Sequence, residues 1–243
     1  LWSVSKHAIN DAMKNTKISS DRPVTLVGGG DLGRDDLEDA LRRAPLLVAA
    51  DGGVAHALEA GHVPSAVIGD LDSLRESDRT QLPQDRIFRI SEQETTDFDK
   101  ALRHVSAPIV LAVGFLGGRL DHQLAALNVL VRYPVRPCIL IGPGEIVFHL
   151  PSSLTIDLVD GDIVSLFPMG RVTGRSEGLA WPIDGLTLDP TERIGTSNRA
   201  LGQVRISTDG PGLLAILPRA ALDAVMRAIE SSRTSPPGQR LGR

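Results

Sequence analysis

The sequence predicts an α/β protein in two parts: an N-terminal doubly wound domain on a mainly parallel sheet, followed by a C-terminal antiparallel β-sandwich domain. Three observations carry that expectation. Between Pro23 and Gly142, short apolar runs alternate with helical stretches, the pattern of strand–helix–strand units. Several of those runs are apolar without interruption, as strands covered on both faces are. After Gly142-Pro-Gly144 the grammar changes to short apolar runs separated by Pro, Gly, Asp and Ser, with no long helical pattern before the C-terminal region.

In the first part, strands are expected at Val24–Val27, Leu46–Ala49, Ala66–Ile68, Ile87–Ile90, Ile109–Val113 and Ile139–Ile141. Helices are expected at Asp35–Arg43, Val54–Ala60, Phe98–Val105 and Asp121–Val131, where apolar residues recur three or four apart, as in Leu37 and Leu41 or Leu120, Leu124 and Leu127. In the second part, strands are expected at Ile146–Leu150, Ile163–Phe167, Leu186–Leu188, Val204–Ser207 and Leu213–Leu217, and a terminal helix at Pro218–Ser231. The expected domains are 22–142 and 143–231, with 1–21 and 232–243 as flexible tails.

The 243 residues are enough to bury one large or two small cores. Lys and Arg total 26 against 30 Asp and Glu, a formal net charge of −4, so no basic excess marks a nucleic-acid or anionic-membrane partner. No apolar run approaches the ~20 residues that span a bilayer. Residues 1–21 carry charges throughout and lack the apolar centre of a secretory signal, and the single cysteine, Cys138, excludes an intrachain disulfide. Both features lead us to expect a cytoplasmic protein. Aromatics make up only 3%, so Val, Leu, Ile and Ala must fill the cores, and an aromatic within a motif stands out.

In doubly wound sheets, ligands bind beyond the carboxyl ends of the strands. Gly28-Gly-Gly-Asp-Leu-Gly33 follows the first strand, precedes a helix and matches G-x-G-x-x-G. Asp51, followed by Gly52, ends the second strand where a dinucleotide-binding fold puts its ribose acid. No G-K-S or G-K-T follows, so phosphate held by Gly28, Gly29 and Gly30 must be held by backbone N–H groups. The stronger signal is acidic. Asp70 and Asp72 stand two apart after a buried strand, so both carboxylates can face one edge, a hard-oxygen pair suited to magnesium. Asp51, Asp97 and Asp121 recur at equivalent places, and five acids at one edge repel one another unless a divalent cation joins them. Helix capping is the competing role for Asp72, Asp97 and Asp121. Arg119, after two glycines, can reach a phosphate bidentately, while Lys100 is either a phosphate contact or a helix-surface charge. His122 suits a capping or hydrogen-bonding role better than magnesium ligation.

Ala50-Asp-Gly-Gly53, Val67-Ile-Gly-Asp-Leu-Asp-Ser-Leu74, Thr96-Asp-Phe-Asp-Lys-Ala-Leu102 and Gly117-Gly-Arg-Leu-Asp-His-Gln-Leu124 stand in the order and spacing of one known family. So do Gly178-Leu-Ala-Trp-Pro-Ile183, Gly195-Thr-Ser-Asn198 and Gly212-Leu-Leu-Ala-Ile-Leu217. Together they resemble thiamine pyrophosphokinase (thiamine diphosphokinase) from about Val24 to Leu217.

The resemblance implies an α/β catalytic domain that binds ATP and Mg2+, a β-sandwich that binds thiamine, and a homodimer whose active sites draw on both subunits. It implies transfer of the diphosphoryl group of ATP to the hydroxyl of thiamine, giving thiamine diphosphate and AMP. By that analogy Asp70, Asp72 and Asp97 hold magnesium and the ATP phosphates, Arg119 and Asp121 border nucleotide and thiamine, and Ser197 and Asn198 sit near the vitamin. Trp181 stands where the family often has tyrosine, and keeps a flat face for the cationic thiamine ring. Val54-Ala55 departs from the polar residue often found after Asp-Gly-Gly. Three other readings compete: a diphosphokinase for another alcohol such as a hydroxymethylpterin, an NAD-dependent oxidoreductase on Gly28–Gly33 and Asp51, and a non-catalytic nucleotide or thiamine binding module. The oxidoreductase leaves Asp70, Asp72, Asp97 and Asp121 unexplained.

Overall fold

The structure is a computed structural model that describes residues 16–234. The chain divides between His149 and Leu150 into two compact units.

The first unit contains strands β1 (Ile18–Ser19), β2 (Val24–Val27), β3 (Leu46–Ala50), β4 (Ala66–Gly69), β5 (Ile87–Arg89), β6 (Val105–Ser106), β7 (Val110–Val113), β8 (Cys138–Ile141) and β9 (Glu145–His149). Between them lie helices α1 (Asp36–Arg43), α2 (Gly53–Glu59), α3 (Glu76–Arg79), α4 (Asp97–His104) and α5 (Leu120–Arg132). Every residue of β2, β4, β7 and β8 is buried, which is why these strands read as unbroken apolar runs. β3, β4 and β5 pair in parallel, as do β2, β7 and β8, and β9 returns antiparallel to β8. The two parallel ladders meet where Val24 bridges Pro45 and the buried Thr25 hydroxyl donates to the Ala44 carbonyl at 2.6 Å.

From β2 the chain winds out to β5, then returns to β7 on the other side of β2. That reversal opens a crevice at the carboxyl ends of β2, β3 and β7, the place where such sheets bind ligands.

Three features differ from expectation. Ile18–Ser19, expected in a flexible tail, pair in parallel with Val105–Ser106, because Ile18 buries its side chain and the β6 backbone offers free hydrogen-bonding groups. Residues 232–234, expected in the other tail, continue the C-terminal helix to Thr234, and the tail segments 1–15 and 235–243 lie outside the described residues. The short helix α3 has no apolar run to announce it.

The second unit is built from β10 (Ser153–Asp157), β11 (Ile163–Pro168), β12 (Val172–Leu179), β13 (Thr187–Leu188), β14 (Gly195–Thr208) and β15 (Leu213–Pro218), with α6 (Leu222–Thr234) packed on β10. All its strand pairs are antiparallel. The long β14 pairs with β11 near Asn198, and further on runs between β10 and β12 at Ile206. β12 (Val-Thr-Gly-Arg-Ser-Glu-Gly-Leu) was not expected as a strand, since its composition is polar. Its glycines fit the ladder because a Cβ at Gly174 or Gly178 would collide with the Ser207 or Gln203 carbonyl.

Burial pushes the His149 imidazole down to about 4. The unfolded chain therefore takes up a proton below about 6.5 that the fold refuses until about 4, so stability falls across that window by up to about 3 kcal/mol. Urea titrations from pH 7 to 4.5 should show His149→Gln losing less stability than the unmodified chain. Parallel profiles for the two would contradict this.

Candidate active site

Three strand ends and one helix start build the site. After β2, the Gly28 and Gly30 N–H groups donate to the Val113 and Gly114 carbonyls, each at 2.9 Å. Two of the three amides expected to cradle phosphate are thus engaged by the end of β7 and the residue after it. A Cβ at Gly30 would lie 2.7 Å from the Gly114 oxygen, and one at Gly28 would strike the Phe115 ring. These glycines serve the close approach of two loops. The start of α1 is six residues beyond Gly30 at Asp36, whose carboxylate accepts the Gly33 N–H at 2.7 Å.

β3 ends at Ala50 with Asp51 next, its φ of 38° left-handed, and β4 ends at Gly69 with Asp70 next. A Cβ at Gly69 would lie 2.8 Å from the Asp51 Cβ, so glycine is what lets the two acidic strand ends sit side by side. Thr96 caps α4, its Oγ1 accepting the Asp99 N–H at 3.3 Å, and this places Asp97 in the first helical turn. In the approach to α4, Glu92 accepts from Arg103, from the Thr95 hydroxyl and from the Glu94 N–H, which ties the loop to the helix it feeds.

Asp51, Asp70 and Asp97 each present a carboxylate oxygen within 4.8 Å of the others. Lys100, with a side chain only 2% exposed, donates from Nζ to Asp70 Oδ2 at 2.6 Å and to Asp97 Oδ1 at 3.4 Å. The Ser73 hydroxyl donates to Asp51 Oδ2, while Asp51 Oδ1 is buried with no hydrogen-bond partner among the described residues. The Lys100 hydrogen bond holds the Asp70 carboxyl below the usual range. Burial, then the Asp51 charge, raises that of Asp97. Burial works against the Lys100 charge, but Asp70 and Asp97 outweigh it and hold the ammonium above its ordinary value.

With all four groups ionised, three negative charges against one positive leave −2. Hard carboxylate oxygens, a residual charge of that sign and an orphaned buried acceptor fit a divalent cation such as magnesium. A cavity of about 140 Å³ opens onto the cluster, lined among others by Gly29, Gly52, Ser73, Phe115 and His122.

Asp72, expected among the metal ligands, lies outside this cluster and is exposed. The alternation that would aim Asp70 and Asp72 at one edge ends at Leu71, whose φ is 69°. The Asp72 N–H donates to Asp70 Oδ1 at 3.2 Å instead. Arg119 and Asp121 form an exposed bidentate pair at 3.1 and 2.6 Å, so Asp121 is also outside the cluster. Of five acids expected at one edge, three come together.

In the second unit, Trp181 is 60% exposed. The buried Asn198 accepts the Trp181 and Arg199 N–H groups at 3.1 and 2.8 Å and donates to the Trp181 carbonyl at 2.6 Å, so it sets the Trp181 backbone. Ser197 has a φ of 63° and donates its N–H to Ser165 Oγ at 3.0 Å. Sequence reasoning gives no site role to Ser73, Thr96, Phe98 or Phe115, which line the cavity. The first three stood inside the quoted motifs. Phe115, whose ring lies 4.5 Å from that of Phe98, had no signal of its own.

Comparison with known proteins bears directly on this site. Residues 37–141 match the family model for the thiamin pyrophosphokinase catalytic domain, and residues 147–213 match that for the thiamin pyrophosphokinase vitamin B1 binding domain. The chain belongs to the thiamin pyrophosphokinase family. Thiamine pyrophosphokinase 3 of Oryza sativa subsp. japonica is 27% identical to it over 190 residues, 64% of this chain and 71% of that protein. The solved thiamin pyrophosphokinase of Geobacillus thermodenitrificans is 25% identical with a TM-score of 0.64, covering 81% of this chain and 96% of that one. The Candida albicans thiamin pyrophosphokinase, at 17% identity and a TM-score of 0.68 over 83% of this chain and 93% of that one, shares the fold. Asp51, Asp70, Asp97 and Lys100 all fall in the catalytic-domain match of the thiamin pyrophosphokinase family, and Trp181, Ser197 and Asn198 fall in the vitamin B1 binding match.

Lys100→Met removes the buried cation and leaves three carboxylates facing one another. Urea denaturation at pH 7 should show a loss of about 2 kcal/mol, discounted from the fully buried case because Asp97 is partly exposed. The loss should shrink at pH 5, where protonation relieves the repulsion. Unchanged stability at pH 7 would contradict the role given to Lys100.

Proposed function

We propose that this chain is a magnesium-dependent thiamine pyrophosphokinase, which moves the diphosphoryl group of ATP to the hydroxyl of thiamine and releases thiamine diphosphate and AMP. The observation that carries this is the coincidence of the catalytic-domain match with the Asp51–Asp70–Asp97–Lys100 cluster. Asp51, Asp70 and Asp97 are the residues that would hold magnesium. When bound, the ion offsets phosphate charge and orients the ATP phosphates.

The remaining work falls to positioning and charge stabilisation. Lys100 brings a second positive charge to the same spot. Arg119 follows Gly117 and Gly118, both with left-handed φ, and its exposed guanidinium is placed to exchange Asp121 for a phosphate. In the transfer, the thiamine hydroxyl oxygen bonds to the β-phosphorus. The bond from that phosphorus to the oxygen it shares with the α-phosphate breaks, and AMP keeps that oxygen with its electron pair. The hydroxyl proton passes to a carboxylate or to water. Asp121, released as Arg119 turns to phosphate, is an exposed carboxylate free to orient the hydroxyl. Trp181 offers an exposed aromatic face for the cationic thiamine ring.

On this reading residues 22–142 are the catalytic domain and 143–231 the thiamine-binding domain, a β-sandwich. Antiparallel pairing throughout the second unit supports it. A homodimer is supported by Leu120 and Leu124, 69% and 56% exposed one turn apart on α5 beside Asp121. A cytoplasmic setting is supported by the single, buried cysteine. Among the described residues, no helix is long and apolar enough to cross a membrane.

Incubated with thiamine, ATP and Mg2+, the purified protein should form thiamine diphosphate and AMP in equal amounts, and a chelator should stop it. Asp70→Asn should keep a native circular dichroism spectrum and lose at least about 100-fold in AMP formation. ATP consumption that needs a different alcohol would overturn the substrate assignment, and full turnover by Asp70→Asn would overturn the cluster's role.

A further inference from the structure

We infer that Asp99 is a positioning residue for the acidic cluster, acting through the rotational setting of α4. The inference rests on the metal role proposed for Asp51, Asp70 and Asp97. α4 is only eight residues long, about two turns, and a helix of that length is held by its surroundings rather than by itself. Two of its residues, Asp97 and Lys100, reach the cluster. Asp99, about 160° around the helix from Asp97, is 1% exposed and bonds to the end of α5. Its Oδ2 accepts from Arg132 Nη1 at 2.6 Å and its Oδ1 from the Tyr133 hydroxyl at 2.8 Å. The Arg132 guanidinium in turn lies 5.5 Å from the centre of the Tyr133 ring.

A carboxylate buried to this extent is tolerated because both oxygens are bonded, and the reaction proposed above gives Asp99 no part in binding or chemistry. Its effect is geometric. A turn of α4 by about 15° would carry a carboxylate ~6 Å from the helix axis through about 1.5 Å, enough to break up a metal site. Asp99 pins the face of the helix that points away from the site, so the other face is presented at one angle. Arg103 and Glu92 tie the approaching loop to the helix and the buried Phe98, Ala101 and Leu102 pack it, while Asp99 adds the two directional bonds that fix its angle.

The test uses the full chain and Mn2+ as a spectroscopic probe of the metal site, without nucleotide or turnover. Asp99→Asn keeps the shape and an acceptor for Tyr133 but removes the charge that holds Arg132. Electron paramagnetic resonance titration should show its Mn2+ dissociation constant raised about tenfold. AMP formation should show kcat lowered about tenfold with the KM for thiamine unchanged. The double variant Asp99→Asn/Arg132→Gln, which restores a matched neutral pair, should recover most of the Mn2+ affinity. A lower Tm with unchanged Mn2+ affinity and unchanged kcat would make Asp99 a stability residue and overturn the inference alone. No Mn2+ binding by the unmodified chain would overturn the metal role and this inference with it. Should Asp99→Asn fail to fold, Tyr133→Phe removes one bond only and should weaken Mn2+ binding about threefold; equal binding would contradict the inference.

Discussion

Like charges brought together at the edge of a parallel sheet set the terms for the first unit. Asp51, Asp70 and Asp97 come from two strand ends and one helix start, and they are tolerable neighbours because Lys100 is buried among them. Much of the local backbone follows from that demand. Gly69 leaves room for Asp51, and Asp51 and Leu71 take left-handed conformations that ordinary side chains avoid. Gly53 lets α2 start hard against β2, where a Cβ would meet the Val27 carbonyl. Such strain is expected where a site must hold a geometry that folding alone would not favour.

The sequence made the parallel sheet legible because its strands are buried on both faces and read as plain apolar runs. It also disclosed that acids gather at strand ends. Which acids meet was not legible, since that depends on a single dihedral. The left-handed turn at Leu71 sends Asp72 outward, and Asp51, for which the sequence offers both a ribose contact and a place among the gathered acids, lies in the cluster. Lys100 was ambiguous for a related reason. Spacing along a helix fixes its face, but whether that face meets solvent or a neighbouring strand is a tertiary fact.

The glycine-rich turn after β2 shows how a motif can be right in place and different in cause. Gly28 and Gly30 are needed, yet their amides bond the end of β7 and the residue after it. In the second unit the weak point was β12, a strand without an apolar run, which is held by its ladder to β14. The thiamin pyrophosphokinase family match spans both units, so the acidic crevice of one and the exposed Trp181 of the other belong to a single enzyme. Within the first unit, two helices share the task of presenting the crevice: α4 supplies Asp97 and Lys100, and α5 grips α4 from behind through Arg132 and Tyr133.

In the proposed metal site Asp51, rather than Asp72, joins Asp70 and Asp97. Anomalous diffraction from crystals grown with Mn2+ and a non-hydrolysable ATP analogue tests it most directly. The account predicts a peak within coordination distance of oxygens from all three carboxylates, with Asp51 Oδ1 among its ligands. A peak held by Asp70 and Asp72, with Asp51 turned away, would contradict it.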